Sequence, residues 1–225
     1  MNTLEKADIR FVDFGGYNGT ETTVRGYQNF TIRDDGIIAL PNDQGNHAWT
    51  DTKAKSNFFD GILADVNPSS YADFGSNLGY YVFYAALQGI TSMGLDYNAE
   101  YTNLCRTIQL RHSISGAEFQ QGNLQQWQDT DDRYDLVTVF NVIHHLYNRT
   151  EKYQNMQNLV QDFANKSKHA VLFEFPTERD KKGYKWTMDT DYSEALFVDA
   201  IGKCFDRYVR MPGQTEHRPY YLCVL

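Results

Sequence analysis

Two carboxylates with glycine-rich neighbours stand at the ends of two consecutive predicted strands. Asp73 ends the first strand and opens DFGSNLG, in which Gly75 and Gly79 mark a turn and the start of a helix. Asp96 ends the next strand about 20 residues after Gly75, a spacing typical of nucleotide-type binding. Gly75 would let a ligand approach the backbone, and Gly79 would let the helix pack closely on a strand. Asp73 could hold a ligand's ammonium group, and Asp96 stands where a ribose diol would bind.

Adjacent histidines, His144 and His145, follow the fourth predicted strand of the same region. Imidazole titrates near neutral pH, so either one could act as a general base. The alternative is that one ring only orients the following loop, or that neither is a base. Adjacent rings cannot easily reach one ion, and the chain has no HExxH motif, so we expect no metal site.

The elements that must position these groups alternate regularly from about residue 53 onward. Seven predicted strands are joined mostly by helical segments, which indicates an α/β fold of three layers with a mostly parallel sheet. The run DLVTVFN is apolar and β-branched, as expected for a strand buried on both faces. Only about eight residues separate the last two strands, too few for a crossover helix, so we expect antiparallel pairing at one edge of the sheet.

Residues 1–52 differ from the rest and are treated as an extension of a main domain at 53–225. They are rich in Gly, Asn, Asp and Thr, and QNFTI and IIAL flank a turn-forming segment at 33–36. We therefore expect one hairpin at most, lying over the main domain as a lid or a substrate platform.

The composition of the chain argues against several classes of protein. The net charge is −8 and the pI is about 5.2, which argues against a protein that mainly grips phosphate backbones. Three cysteines without CxxC spacing imply no disulfide framework. The N-terminus lacks the apolar run of a signal peptide, and no apolar stretch is long enough to span a membrane. We expect a soluble cytoplasmic protein of undetermined oligomeric state.

With these motifs in place, the sequence resembles the class I S-adenosylmethionine-dependent methyltransferases over about residues 55–225. DFGSNLGYY is similar to the first motif of that family and GLDYN to the second. FQQGNLQQW resembles the segment that borders adenine, and YDLVTVFNVIHHL resembles the fourth-strand motif. The resemblance implies a three-layer Rossmann-like fold with a seven-stranded, mostly parallel sheet and an antiparallel edge strand.

The resemblance also implies a set of cofactor-binding residues. Asp73 and Gly75 would contact the methionine part of S-adenosylmethionine, Asp96 both ribose hydroxyls, and Tyr97 the face of the adenine. Asn123 would read the adenine amine and the Leu124 N–H a ring nitrogen, while Asn141 would line the pocket near the sulfonium. The other cofactor-binding positions lie in the first loop: Ser76, Asn77 and Gly79.

Two positions depart from the family pattern, and the acceptor stays open. Asn77 replaces a common second glycine, and Asn123 replaces a common acid. The missing glycine disfavours a nicotinamide-dependent reductase, which expects GxGxxG; a non-catalytic binding subunit is the other alternative. The sequence lacks the NPPY-type tetrapeptide of many base methylators. We expect transfer to an oxygen of a small molecule or glycan, with nucleic acid unlikely as a partner.

Overall fold

The protein was analysed as a computed structural model, which describes residues 11–13, 21–25, 28–39, 52–180 and 190–225. Its larger sheet has seven strands in the order β10-β11-β9-β8-β5-β6-β7. Their bounds are β5 Ser70–Phe74, β6 Thr91–Asp96, β7 Ala117–Gln121, β8 Tyr134–Phe140, β9 Ser167–Glu174, β10 Arg207–Met211 and β11 Tyr220–Val224. The predicted fold class is confirmed.

The direction of the strands determines at which edge of the sheet the candidate functional residues lie. Strands β5 to β9 are parallel, and β11 pairs antiparallel with both β9 and the edge strand β10. The antiparallel pair at this edge is the one predicted from the short connection. Because parallel strands share one carboxyl edge, Asp73, Asp96, Asn141 and Glu174 all lie along it.

Helices cover both faces of this sheet. They are α1 Thr52–Val66, α2 Tyr80–Leu87, α3 Ala99–Arg111, α4 Leu124–Gln128, α5 Ile143–Leu146, α6 Met156–Asn165 and α7 Glu194–Cys204. One core contains Phe59 of α1 and Phe83 of α2, and the other contains Phe163 of α6 and Phe197 of α7. Of the helices that the structure describes, none is long and apolar enough to cross a membrane.

The stretch of helical apolar periodicity over residues 150–166 forms two helices, not one. A short 3-10 helix, Glu151–Gln154, precedes α6. Asn155 between them is extended, and its side chain accepts hydrogen bonds from the N–H groups of Gln157 and Asn158. Asparagine at this position interrupts the first helix and caps a new one. The apolar periodicity of the side chains therefore continues although the helical backbone does not.

The expectation of one hairpin at most in residues 1–52 is wrong. The described part holds a four-stranded antiparallel sheet in the order β1-β2-β3-β4, with β1 Phe11–Asp13, β2 Glu21–Arg25, β3 Phe30–Arg33 and β4 Gly36–Ala39. The predicted hairpin is β3–β4, in which Arg33 pairs with Gly36. Strand β2 escapes a pattern search because one of its two inward residues is Thr22 and only Val24 is aliphatic.

This N-terminal sheet packs on the main domain. Val24, Phe30 and Ile32 are fully buried and belong to the same core as α1 and α2. The Phe30 ring lies 5.5 Å from that of Tyr80 in α2. The sheet thus covers a helix that begins at the glycine-rich loop, and its service as a lid or substrate platform stays a prediction.

Candidate functional site

The loop between β5 and α2 is held in a tight, partly left-handed conformation. Gly75 and Gly79 have φ of 79°, and Asn77 has φ of 50°. Asparagine tolerates this region better than most residues, so Asn77 adopts the conformation that a second glycine would. The N–H groups of Gly75 and Ser76 both donate to the carbonyl of Leu95, which ties the loop to the end of β6.

The two loop glycines are also required by packing. A Cβ at Gly79 would lie 2.7 Å from the Phe119 ring of β7, so α2 packs closely on the sheet there. A Cβ at Gly75 would lie 2.5 Å from Cγ2 of Val142. The segment that follows β8 therefore contacts the loop directly and forms one wall of the site.

Asp73 is a buried carboxylate with one hydroxyl partner. It is 2% exposed, and Thr138 Oγ1 donates to its Oδ1 over 2.7 Å. Burial raises the pKa of Asp73 to about 7; the Thr138 hydrogen bond lowers it, the Asp96 charge raises it and the Lys55 charge lowers it. A buried carboxylate of this kind is stabilised in its charged form by a cation, such as the ammonium group that sequence analysis assigned to it.

Asp96 is held by backbone groups from two loops. Its Oδ2 accepts from the Asn77 N–H and its Oδ1 from the Asn98 N–H, both over 2.9 Å. Burial raises its pKa, and these two hydrogen bonds act against that rise. Each carboxylate oxygen can accept a second hydrogen bond, so the group can still receive a ribose diol. Tyr97 beside it is 63% exposed, which leaves its ring open for stacking.

Asn123 is the N-cap of α4. Its Oδ1 accepts from the Gln126 N–H, and the Gln126 side chain accepts from the Asn123 N–H, forming a capping box. The oxygen that an adenine amine would need is therefore already engaged, and only its second lone pair could serve. Leu124 is the first residue of α4, so its N–H has no partner within the helix.

Asn141 directly follows β8 and has a left-handed conformation, with φ of 59°. Its Oδ1 accepts from Nη1 of Arg218 over 2.6 Å. Arg218 is buried and also donates to Asp180. Arg218 precedes β11 and lies 77 residues from Asn141 in the chain, so no spacing in the sequence predicts that it orients Asn141.

The two histidines lie on α5 with their rings 3.9 Å apart. His144 is 2% exposed, and its Nδ1 has no hydrogen-bond partner among the described residues. Burial lowers the pKa of His144 well below its usual value, and His145, Arg218 and Arg149 add to the effect. His145 is exposed, yet desolvation by the surrounding protein, then Arg149 and Arg218, lower its pKa to about 4. Both rings are neutral at pH 7, and the lowered pKa makes each a weaker base than free imidazole.

Two further groups reach this edge of the sheet without a sequence signal. Nζ of Lys55, in the first turns of α1, lies 2.6 Å from Oε2 of Glu174, and both side chains are buried. Gln28, just before β3, donates to the Ser76 carbonyl and accepts from the Tyr80 N–H. Burial is not visible in the sequence, so neither the lysine nor the glutamine could be singled out from it.

Some predicted features lie outside the structure's described part. Residues 1–10, 14–20, 26–27, 40–51 and 181–189 are not described, and they include more than half of the N-terminal extension expected to act as a lid or substrate platform. Within the described ranges, no group of three or more His, Cys, Asp or Glu side chains is placed to hold a metal ion.

Comparison with known proteins supports a methyltransferase domain in the central part of the chain. Residues 68–166 match the family model described as "Methyltransferase domain". No curated protein matches the chain significantly. The motifs at the strand ends, the strand order and the family match agree, and together they support a class I S-adenosylmethionine-dependent methyltransferase.

Solved structures share the fold at low identity. A co-crystal structure of WbdD with a kinase inhibitor superposes with a TM-score of 0.65 at 20% identity, covering 82% of this chain and 43% of that one. Another structure describes WbdD as a bifunctional kinase-methyltransferase, with a TM-score of 0.64 at 18% identity over 80% of this chain and 42% of that one. The chain thus spans less than half the length of these neighbours. A putative O-methyltransferase from Nostoc punctiforme aligns with a TM-score of 0.56 at 13% identity, over 76% of this chain and 56% of that one.

Proposed function

We propose that this methyltransferase uses S-adenosylmethionine and methylates an oxygen of a small molecule or glycan. The observation that carries the proposal is the pair of buried carboxylates, Asp73 and Asp96, at the ends of adjacent parallel strands β5 and β6. The loop that starts at Asp73 hydrogen-bonds to Asp96 through Asn77. One carboxylate for an ammonium group and one for a diol are what the two polar ends of this cofactor require.

The residues present fit this cofactor. Asp73 would receive the ammonium group, Asp96 the ribose hydroxyls, and the exposed Tyr97 ring would stack on adenine. The Leu124 N–H at the start of α4 would donate to a ring nitrogen. Bound S-adenosylmethionine supplies an electrophilic methyl group on a sulfonium, whose departure as a neutral thioether requires no protonation.

The protein's contribution to transfer is alignment and, for a hydroxyl acceptor, removal of a proton. His145 is exposed and neutral at pH 7, so it is the proposed base, with His144 second because it is buried. Asn141, fixed by Arg218, would line the pocket beside the reacting carbon. The names of the O-methyltransferase neighbours support oxygen as the acceptor atom.

Titration calorimetry with S-adenosylhomocysteine tests the cofactor assignment, with NADH as the contrasting ligand. We expect micromolar binding of the former alone. Asp96→Asn should weaken binding about a hundredfold, because charge-assisted hydrogen bonds to the ribose are lost. Asp132→Ala, at an exposed aspartate before β8, is the matched control and should bind normally. Binding of NADH instead, or undiminished binding by folded Asp96→Asn, would refute the assignment.

Acceptor screening then tests catalysis. Once an acceptor is found, His145→Ala should lower the turnover rate while leaving the affinity for S-adenosylhomocysteine unchanged. Full turnover in both His145→Ala and His144→Ala would remove the base role. Cofactor binding without transfer to any acceptor would favour the non-catalytic subunit.

A further inference from the structure

The N-terminal sheet contacts the predicted cofactor loop through one buried side chain. Gln28 lies between β2 and β3 and is buried. Its Nε2 donates to the Ser76 carbonyl over 3.3 Å, and its Oε1 accepts from the Tyr80 N–H over 3.0 Å. A single amide therefore joins both ends of the turn from Ser76 to Tyr80.

This contact meets a requirement of helix α2. Its N-cap is Gly79, which has no side chain with which to cap the helix. The first N–H groups of a helix have no partner within the helix, and buried ones are costly when left unpaired. Gln28 supplies the cap from another part of the chain, and Phe30, two residues later, packs its ring against Tyr80 and Phe83.

The same turn is held from its other side by Asp96. The Asn77 N–H donates to Asp96 Oδ2. Along the chain, Asn77 lies between Ser76 and Tyr80, the two residues to which Gln28 is hydrogen-bonded. Asn77 also has a left-handed backbone, which costs energy in a non-glycine residue. The turn is therefore kept in its conformation by two clamps, one from β6 and one from the N-terminal sheet.

We propose that Gln28 is a positioning residue that sets the affinity for the cofactor by bracing the turn from Ser76 to Tyr80. If the brace is lost, the turn relaxes and Asp96 loses the fixed partner that aims its carboxylate. The N-terminal sheet then acts on the site through the cofactor loop. The effect on affinity rests on the proposed function, whereas the effect on the turn itself does not.

The opposite end of the sheet offers a matched control. Thr22 Oγ1 is hydrogen-bonded to His112 Nε2 over 2.8 Å, and His112 follows the C-terminus of α3, at the far edge of the main sheet from the loop. Thr22→Val removes an anchor of the same sheet without touching the turn. This variant therefore measures how a general weakening of the N-terminal sheet affects exchange at the turn and affinity for the ligand.

Two measurements on Gln28→Met, which keeps the volume and removes both hydrogen bonds, test the proposal. Amide hydrogen exchange of the ligand-free protein should be about tenfold faster at Asn77 and Tyr80 than in the wild type, and unchanged there in Thr22→Val. The dissociation constant for S-adenosylhomocysteine should rise about tenfold in Gln28→Met and stay within twofold in Thr22→Val. Gln28→Leu, which also removes both hydrogen bonds and adds no charge, should give the same two results, and it serves if Gln28→Met does not fold.

The outcomes separate the two proposals. Unchanged exchange at the turn overturns the brace whatever the ligand does. Faster exchange with wild-type affinity overturns the role in cofactor binding, and an equal loss of affinity in Thr22→Val would assign it to sheet stability. A wild-type protein that does not bind S-adenosylhomocysteine refutes the proposed function and with it the affinity claim, while the exchange result still decides the brace.

Discussion

The carboxylates of Asp73 and Asp96, at the ends of adjacent strands, accept different hydrogen bonds. These hydrogen bonds suit them to different groups of a ligand. Asp96 accepts hydrogen bonds from two backbone N–H groups, whereas Asp73 accepts one from the hydroxyl of Thr138. Thr138 in turn is hydrogen-bonded to the Tyr71 hydroxyl over 2.6 Å. Asp73 is therefore the group whose charge depends most on a cation arriving in the site.

From this we predict pH-dependent cofactor binding. The pKa of Asp73 is about 7 in the ligand-free protein, and a bound ammonium group favours the ionised form. Binding of S-adenosylhomocysteine should therefore strengthen between pH 6 and pH 8 and release a proton. The histidines of α5 do not contribute, because the pKa of His145 is lowered to about 4 and that of His144 is lowered well below its usual value.

Calorimetry in two buffers of different ionisation enthalpy measures the proton directly. Asp73→Asn is the control, since it keeps the shape and should bind weakly with no pH dependence over the same range. Affinity in the wild type that is constant from pH 6 to pH 8, with no proton released, would contradict a neutral Asp73 in the free site.

At the scale of elements, substitutions of Asn123 separate its capping of α4 from a role in binding adenine. Its Oδ1 caps α4, so Asn123→Ala should lower the free energy of unfolding by about 1 kcal/mol. Serine caps equally well, so Asn123→Ser should keep both the stability and the affinity for S-adenosylhomocysteine. Urea denaturation and calorimetry on the two variants measure these effects. Loss of affinity in a fully stable Asn123→Ser would instead assign the side chain to adenine.

The sequence predicts the helices and strands whose pattern of apolar residues is complete within the element itself. Central strands of the main sheet such as β8 are largely apolar runs, and the helices carry their own apolar stripes, so the order of the elements and the strand ends at Asp73 and Asp96 follow from the sequence. The N-terminal sheet was underestimated because its described strands have three to five residues and bury threonines as well as aliphatic side chains. Contacts such as those of Gln28 with α2 join distant positions, and no local pattern encodes them.

At the scale of the molecule, the ion pair of Lys55 and Glu174 connects α1 to the end of β9 across the site edge. Both side chains are buried, and Oε1 of Glu174 has no hydrogen-bond partner among the described residues. The Lys55 ammonium also lies 5.8 Å from the centre of the Phe140 ring. Charges so deeply buried depend on each other, because either one alone is poorly solvated.

We therefore predict that Lys55→Met lowers the free energy of unfolding by about 3–5 kcal/mol, since it leaves a buried carboxylate unpaired. The double variant Lys55→Met with Glu174→Gln should recover more than half of that loss. Lys203→Met breaks the exposed pair of Lys203 and Asp199 in α7 and should cost no more than about 0.5 kcal/mol. Urea denaturation of the three variants decides the matter, and equal losses in Lys55→Met and Lys203→Met would show that burial adds nothing.

The same substitution carries a consequence for the site, because the Lys55 charge lowers the pKa of Asp73. Removing it should raise that pKa further, so the pH midpoint for binding S-adenosylhomocysteine should shift upward in the double variant. The double variant is the right one for this measurement, since its fold is not burdened by the unpaired carboxylate. A midpoint that does not move would mean that α1 stabilises the fold without acting on the electrostatics of the cofactor site.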